Sequence, residues 1–434
     1  MENQIKSLKI RLIRVIRVPI YAFQSSYRKF LTLTCSRKMK NLLKKADYNV
    51  TANGVWQEGV TLKIRTNIMI DTETAIESSV KIFHDKTPLS LECGAELPKV
   101  DIAYHTYGTL NEKKDNVVWV FHALTGNSEA ADWWNGMIGE GKFFDPTHYF
   151  IVCANMIGSH YGSTSPLSIN PLTGTFYGRD FPVVTIKDVV KGHIRLAQHL
   201  DIQQVKLGIG GSMGGQQVLE WAIMQPDFFE NIAVIACGAR MSPWSIALNE
   251  TQRMAIEADP SVSAEALAKA TTYEDFANAG AKGMEAARAI GMLSYRSYEG
   301  YNIAQSDEGN SLDTFKVQTY QRYQGMKLRK RFNALSYISL SKTMDSHNVG
   351  RNRGGISEAL KKIKANTLIV GIQSDLLFPI EEQVSLAAHI PHAKLELINS
   401  KFGHDGFLIE FDQMLRLVEK FMKRKLGNPI NFVI

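Results

Sequence analysis

The sequence predicts an α/β protein whose mostly parallel sheet is covered by helices on both faces. From residue 116 onward, short β-rich apolar runs alternate with segments whose apolar residues recur at helical spacing. Strands that alternate with helices are joined by crossovers, so neighbouring strands run parallel and both faces of the sheet are buried. A glycine-rich turn between one such strand and one such helix supports this class, and a long interval without strands indicates an insertion.

The alternation predicts individual elements. The runs NVVWVFH and YFIVCA are typical of buried strands, and the spacing of Val189, Val190, Ile194 and Ala197 is typical of an amphipathic helix. Strands are predicted at residues 116–122, 149–154, 205–210, 232–237, 367–372 and 395–398. Helices are predicted at residues 186–200, 216–224 and about 408–424.

The interval from residue 241 to residue 355 breaks this rhythm, because it is polar, helical in pattern and free of strong strand runs. A segment this long between two core strands is predicted to be an inserted helical lid. The lid divides the predicted core into a first part, residues 69–240, and a second part, residues 356–434.

The net charge of +7 comes from the first 68 residues, which carry a net charge of +11, whereas the rest of the chain carries −4. A mildly acidic main body has no electrostatic footprint for a polyanion, so we expect no nucleic-acid partner and no membrane partner for the core. Residues 1–68 have the composition of a targeting presequence or of a membrane-surface arm. We favour a third interpretation, a basic extension upstream of a true start at Met39 or Met69 that is not part of the core.

The four cysteines form no CxxC pair and no metal-ligand spacing, and Cys153 and Cys237 lie in apolar runs. Buried free thiols suit a reducing compartment, so the expected location is the cytoplasm. No apolar run reaches the roughly eighteen residues that a membrane-spanning helix needs. No metal site is predicted, because no cluster of metal ligands is present.

The sharpest local motif is Gly210-Gly211-Ser212-Met213-Gly214, which lies between the strand run VKLGIG and the helical run QQVLEWA. A serine on such a tight strand-to-helix turn is typical of the nucleophile elbow of the α/β-hydrolase fold. The turn presents the hydroxyl above the sheet, at the positive end of a helix. A glycine-rich turn that only packs closely or holds a phosphate is the alternative.

A serine nucleophile needs an adjacent base, and in this fold the chain order is serine, then an acid, then histidine. His404 follows the strand predicted at 395–398 and precedes the last helix, which is where this fold places its base. Asp375 follows the strand predicted at 367–372 and is the expected acid, although an aspartate there also suits an ordinary cap. Backbone N–H groups of Met213 and of Leu124, in the loop after NVVWVFH, are the expected oxyanion hole.

Eight further stretches, spread over residues 82–422, resemble the homoserine O-acetyltransferase family. They are HALTG (122–126), GSTSPLSINPLTGTFYGRDFP (162–182), GGSMGGQQVLEWA (210–222), NETQRMAI (249–256), RYQGMKLRKRF (322–332), VGRNRGG (349–355), SDLLFP (374–379) and GHDGFL (403–408).

The resemblance implies that Ser212 takes an acetyl group from acetyl-CoA and passes it to the hydroxyl of L-homoserine, in a step toward methionine. A covalent acetyl-enzyme implies ping-pong kinetics. The same resemblance implies that Arg240 binds the carboxylate of the amino acid, that Asp405 pairs with its amino group, and that an apolar Leu377 selects acetyl-CoA over succinyl-CoA. It also implies a homodimer joined through the lid and no cofactor other than acetyl-CoA as co-substrate.

Three other functions stay open at this point. A serine esterase or thioesterase would use the same triad without an acceptor. A serine O-acyltransferase would differ only in the acceptor, and a homoserine O-succinyltransferase only in the donor. Serine and homoserine differ by one methylene, and a pocket distinguishes the two by only about 1–3 kcal/mol. A binding module without catalysis would use the fold alone, which the intact Ser, Asp and His set disfavours.

Overall fold

The computed structural model describes residues 79–310 and 312–426. The predicted basic extension at 1–68, and Cys35 within it, lie outside these residues. The described strands are, in chain order, β1 (Lys81–Asp85), β2 (Leu89–Ser90), β3 (Glu96–Leu97), β4 (Val100–Tyr107), β5 (Val117–Phe121), β6 (Phe150–Ala154), β7 (Val205–Gly211), β8 (Phe229–Ile235), β9 (Asn366–Ile372) and β10 (Ala393–Ile398).

The described α-helices are, in chain order, α1 (Ala130–Trp133), α2 (Ile186–His199), α3 (Met213–Met224), α4 (Pro243–Glu257), α5 (Ala264–Ala268), α6 (Tyr273–Asn278), α7 (Ala281–Tyr295), α8 (Tyr298–Gln305), α9 (Lys316–Arg329), α10 (Ala334–Asp345), α11 (Ile356–Leu360), α12 (Ile380–His389) and α13 (Phe411–Leu426). Short 3₁₀ turns lie at Gly178–Asp180, Pro260–Val262 and Gly403–Leu408.

The central sheet has eight strands in the order β1-β4-β6-β5-β7-β8-β9-β10. The strands from β6 to β10 pair in parallel, and β4 and β1 continue the sheet antiparallel at one edge. Successive side chains of β5 enter two different hydrophobic clusters, because neighbours on a strand point to opposite faces. Helices cover both faces, so the predicted fold class is confirmed.

The structure has one strand that the sequence pattern missed, β4, and it ends another strand, β8, earlier than predicted. The sequence pattern did not predict β4, in which His105 interrupts the apolar run; its ring is buried because Nδ1 pairs with Ser128 Oγ at 2.9 Å. The strand predicted at 232–237 is β8 and ends at Ile235, because Ala236 takes a positive φ of 46° that no strand accommodates.

The lid predicted at 241–355 lies within the stretch between β8 and β9, where the described residues form the helices α4 to α10 inside the predicted bounds and α11 just after them. α7 is the central element of this group, since it packs against both α4 and α9. The amino-terminal end of α4 reaches the core, where Trp244 Nε1 donates to Leu376 O at 2.7 Å and Ser245 Oγ donates to Leu377 O at 2.7 Å. The lid is therefore bonded to the loop that follows β9.

Candidate active site

Ser212 lies on the turn between β7 and α3 in a strained backbone conformation, with φ 56° and ψ −126°. Its own N–H donates to Ile235 O at 2.9 Å, which fastens the turn to the end of β8. Its hydroxyl has no hydrogen-bond partner among the described residues, so it does not cap the helix that it begins. A positive φ at a non-glycine residue is uncommon and is characteristic of functional turns.

Glycines flank Ser212 because two backbone segments meet there at contact distance. A Cβ on Gly210 would lie 2.6 Å from the carbonyl carbon of Gly214, and a Cβ on Gly214 would lie 2.2 Å from Phe121 O. These neighbours are backbone atoms of the first turn of α3 and of β5, and they cannot move aside. The sequence motif therefore reflects a real steric requirement of the elbow.

We expect Gly214→Ala to lower the free energy of unfolding by roughly 1–3 kcal/mol or more, because overpacking of a rigid site costs that much. Urea unfolding followed by circular dichroism measures the change. Gly309→Ala is the control, since a Cβ there meets nothing within 4 Å and should leave the midpoint unchanged. Equal midpoints for the two variants would contradict the steric explanation of the motif.

His404 and Asp375 form a buried pair, in which the Nδ1 atom of the imidazole lies 2.7 Å from Asp375 Oδ2. The other carboxylate oxygen, Oδ1, accepts from the backbone N–H groups of Leu377 at 2.8 Å and Phe378 at 2.9 Å. Each oxygen of Asp375 thus has a fixed partner. The carboxylate can therefore hold the tautomer in which Nδ1 carries the proton and Nε2 is free to act as a base.

The loops that carry this pair are also bonded to each other. Ser374 Oγ donates to Ser400 O at 2.5 Å and accepts from Gly403 N at 3.1 Å. These bonds join the end of β9 to the turn that contains His404. The separation of acid and base is therefore set by backbone contacts as well as by their own hydrogen bond.

Phe407 brings the 3₁₀ turn of His404 to the elbow. A Cβ on Gly211 would meet the Phe407 ring at 2.5 Å, so the ring lies directly on the backbone beside Ser212. The ring centroids of His404 and Phe407 are 5.7 Å apart. The structure therefore places the three predicted catalytic residues on adjoining turns at the carboxyl ends of β7, β9 and β10.

Burial is the largest influence on the pKa of His404 and acts to lower it. The attraction of Asp375, its hydrogen bond and the charge of Asp405 outweigh burial, so the pKa is raised above its ordinary value. A raised pKa makes the imidazole a stronger proton acceptor, which suits a general base.

The two predicted oxyanion donors lie on segments that are bonded to each other. Gln217 Nε2 donates to His122 O at 3.2 Å and to Met213 O at 3.1 Å, which joins the loop after β5 to the first turn of α3. The first N–H groups of a helix have no partner within the helix, so the N–H of Met213 is available. The N–H of Leu124 donates to no acceptor within the described residues.

The residues predicted to bind substrate differ in burial and in their contacts. Asp405 follows His404 directly, and its carboxylate lies 3.3 Å from the guanidinium of Arg296. Leu377 is 2% exposed, and its side chain packs in the hydrophobic core. Arg240 is exposed and pairs through its backbone with Asn348. Its side chain makes no hydrogen bond or ion pair with the predicted catalytic residues in the described ranges, so its role stays a prediction.

Two arginines that the sequence patterns did not single out lie near His404. Tyr295 has its ring centroid 6.1 Å from that of His404, and the guanidinium of Arg288 lies over the Tyr295 ring at 5.2 Å. Arg296, the partner of Asp405, lies one residue after Tyr295. The seven-residue spacing of Arg288 and Tyr295, two turns along α7, is the signal that could have indicated a shared face.

Among the described residues, the remaining histidines and the cysteines show no sign of a catalytic role. The other histidines that follow Ser212 lie elsewhere: His389 and His392 are exposed, and His347 is buried, with Nε2 3.1 Å from Gly238 O. Cys153 and Cys237 are buried free thiols, as predicted, and burial raises the pKa of both. No helix in the described ranges is long and apolar enough to span a membrane.

These features are those of an enzyme with the α/β-hydrolase fold, and a family model described by that fold matches residues 116–411. The homoserine O-acetyltransferase of Cyclobacterium marinum is 47% identical over 352 residues, which cover 81% of this chain and 97% of that protein. The chain therefore belongs to the homoserine O-acetyltransferase family and is an acyltransferase.

Solved structures agree with this assignment. The homoserine O-acetyltransferase from Staphylococcus aureus is 26% identical, with a TM-score of 0.66, and the match covers 81% of this chain and 98% of that one. An acetylester hydrolase from Corynebacterium glutamicum is 25% identical, with a TM-score of 0.68, and the match covers 81% of this chain and 96% of that one. One architecture therefore carries both acyl transfer and ester hydrolysis.

Proposed function

We propose that this enzyme transfers the acetyl group of acetyl-CoA to the side-chain hydroxyl of L-homoserine, giving O-acetyl-L-homoserine for methionine biosynthesis. The observation that carries the proposal is the position of Asp405, an acidic side chain directly after the base. The lid residue Arg296 pairs with it, and Arg288 lies over the ring of Tyr295 beside the base. A zwitterionic amino acid requires an acidic and a basic protein side chain next to the reacting group, whereas a simple ester requires neither.

In the first half-reaction, Ser212 Oγ attacks the thioester carbonyl of acetyl-CoA while His404 Nε2 takes the hydroxyl proton. The negative charge that develops on the carbonyl oxygen is stabilised by the N–H groups of Leu124 and Met213. The C–S bond then breaks, and the imidazolium returns its proton to the CoA sulfur. The products are free CoA and an acetyl ester on Ser212.

In the second half-reaction, His404 removes the proton from the homoserine hydroxyl, whose oxygen attacks the acetyl carbon. The same two N–H groups stabilise the second tetrahedral intermediate. Its collapse breaks the bond to Ser212 Oγ, which regains a proton from the imidazolium. Transfer through one serine at one site predicts ping-pong kinetics.

The acceptor is held at both charged ends in this proposal. Asp405 binds the α-ammonium group, and Arg288, which faces Tyr295 beside the base, is the arginine best placed for the carboxylate. Arg240, the residue expected from the family resemblance, is the alternative, and its positive charge acts to lower the pKa of the half-buried Glu382. Fixing both ends orients the hydroxyl toward the acetyl carbon, which favours transfer over hydrolysis.

We expect Asp405→Asn to raise the KM for L-homoserine by roughly 10- to 100-fold, since a charge-assisted contact of this kind is worth about 1.5–3 kcal/mol. Acetylation of the enzyme by acetyl-CoA should change little, because the donor carries no ammonium group at this position. Initial rates at varied acceptor and pre-steady-state release of CoA separate the two steps. Asp412→Asn, an exposed change on α13, is the control. An equal loss in both steps would refute the acceptor role.

Three further properties belong to the proposal: the choice of acyl donor, the oligomeric state and the location. Leu377 selects acetyl-CoA, because an apolar residue offers no partner to the free carboxylate of succinyl-CoA.

A homodimer forms through the lid, whose helix α8 exposes Tyr298 (83%) and Ile303 (60%). Sedimentation velocity of the wild type and of Ile303→Glu tests the dimer. The free thiols suit the cytoplasm as the location.

Release of CoA thiol from acetyl-CoA, measured with and without L-homoserine, tests the proposed function. The proposal predicts fast release that depends on homoserine, with L-serine and succinyl-CoA much less effective. The alternative function is ester or thioester hydrolysis, and the similar fold of an acetylester hydrolase supports considering it. Release that ignores the acceptor would establish the alternative, and preference for L-serine or succinyl-CoA would reassign the acceptor or the donor.

A further inference from the structure

The lid contacts the oxyanion loop through Arg331, which lies between α9 and α10. Arg331 Nη1 donates to Thr125 O at 2.7 Å, and Nη2 lies 3.5 Å from Thr125 Oγ1. Thr125 is the residue after Leu124, the predicted oxyanion donor of this loop. A guanidinium is a charged donor, and bonds from charged donors are stronger than those between neutral groups.

Arg331 is itself held in place by two aromatic side chains of the core. Its carbonyl oxygen accepts from Tyr161 Oη at 2.5 Å and from His160 Nε2 at 3.2 Å. Phe332, the next residue, packs its ring edge-on against His160 with centroids 4.7 Å apart. The side chain of Arg331 therefore reaches Thr125 from a fixed backbone position, although the side chain is exposed.

The peptide group that carries the Leu124 N–H, whose carbonyl is Ala123 O, is also fixed. His122 Nε2 accepts from Met156 N at 3.3 Å, so the proton of the imidazole is on Nδ1, which donates to Ala123 O at 2.9 Å. Burial lowers the pKa of His122 to about 4, which keeps the ring neutral, and the two hydrogen bonds determine its tautomer. In a trans peptide the N–H points opposite to the C=O, so fixing Ala123 O directs the N–H of Leu124.

We propose that Arg331 is a positioning residue of the oxyanion hole, supplied by the lid. His122 holds Ala123 O directly, and Arg331 holds Thr125 O, the carbonyl of the peptide group between Thr125 and Gly126. The N–H of that same peptide group, on Gly126, donates to Ala123 O at 2.9 Å. Both contacts therefore act on Ala123 O, and the Leu124 N–H opposite to it stays aimed at the oxygen that becomes negative. The inference rests on the proposed function in using Leu124 as an oxyanion donor, and it adds a role for the lid in catalysis besides enclosing the substrate.

The test is Arg331→Met, with acetylation of the enzyme measured from two donors, acetyl-CoA and p-nitrophenyl acetate. Loss of a whole oxyanion donor costs roughly 100- to 1000-fold in rate, so a loosened donor should cost about 10- to 100-fold in kcat. The fall should be equal for both donors and KM should stay nearly constant. Arg331→Lys should recover part of the rate, because it keeps a charged donor within reach of Thr125 O.

Arg329→Met is the matched control, because it removes a lid arginine two residues away that pairs with Glu285 instead of the oxyanion loop. It should match the wild type. An effect of Arg331→Met confined to the KM for acetyl-CoA would overturn the inference, because Arg331 would then be a contact for the CoA phosphates. A wild-type kcat in Arg331→Met would also overturn it. If acetyl-CoA fails to acetylate the wild type, the proposed function fails, while p-nitrophenyl acetate still reports on Arg331.

Discussion

Ser212→Ala is expected to abolish acetyl transfer, with a fall in kcat of about 10⁴- to 10⁶-fold, the range seen when the nucleophile of such a triad is removed. The hydroxyl oxygen is the atom that bonds to the acetyl carbon, and no described side chain takes its place on the elbow. Alanine and serine face the same backbone strain at φ 56°, so the fold should be retained. Steady-state rates of CoA release, with circular dichroism as a check on folding, measure the effect.

A rival acetyl acceptor provides the control for this variant. Cys93 is an exposed free thiol, and thiols exchange acyl groups with thioesters without an active site. Cys93→Ser should therefore keep full activity. Substantial homoserine-dependent turnover in Ser212→Ala, or a loss in Cys93→Ser, would remove Ser212 from its assigned role.

Asp375→Asn is expected to lower kcat by about 10⁴-fold, as loss of the orienting carboxylate does in serine triads. The reason lies in the two backbone donors on Oδ1, the N–H groups of Leu377 and Phe378. They hold the amide oxygen of the new side chain and turn its NH₂ toward His404 Nδ1. The imidazole must then accept at Nδ1 and carry its proton on Nε2, where it cannot act as the base.

The pH profile gives this variant a second readout. In the wild type the pKa of His404 is raised above its ordinary value, so kcat/KM should increase with pH through a midpoint above about 6.5 as the base loses its proton. Removal of the Asp375 charge leaves burial as the main influence, which lowers the pKa of His404. The midpoint of the residual activity should therefore move to lower pH.

Asp405→Asn is the comparison for this shift, because Asp405 is the smallest of the influences that raise the pKa of His404. It should move the midpoint in the same direction by less. A midpoint that stays in place or rises in Asp375→Asn would contradict the assigned coupling between acid and base.

The parts of the site that follow from local sequence were predictable. The elbow is specified by glycines whose missing side chains make room for backbone contacts, so the glycines in the sequence directly indicate the tight turn. The order of Ser212, Asp375 and His404 follows from the positions of β7, β9 and β10, whose apolar runs are easy to recognise. The antiparallel edge was harder, because the polar residues of β4 are paired only in the folded chain.

The parts that depend on distant contacts were not predictable. Arg331 and Thr125 are 206 residues apart, and no pattern in either segment indicates that they meet. Arg288 is one basic residue among many in a helix with no strong motif, and only the fold brings its helix next to His404. Arg240, which the family resemblance implied for the substrate carboxylate, is exposed and pairs through its backbone with Asn348, and its role stays a prediction.

The most direct test of the central claim is to isolate the intermediate. The wild-type enzyme is mixed with acetyl-CoA without an acceptor, and intact-protein and peptide mass spectrometry locate any acetyl group before and after L-homoserine is added. The account predicts one acetyl group on Ser212 that disappears as an equal amount of O-acetyl-L-homoserine forms. Formation of the product with no acetylated Ser212, or an acetyl group on Ser212 that only water removes, would contradict it.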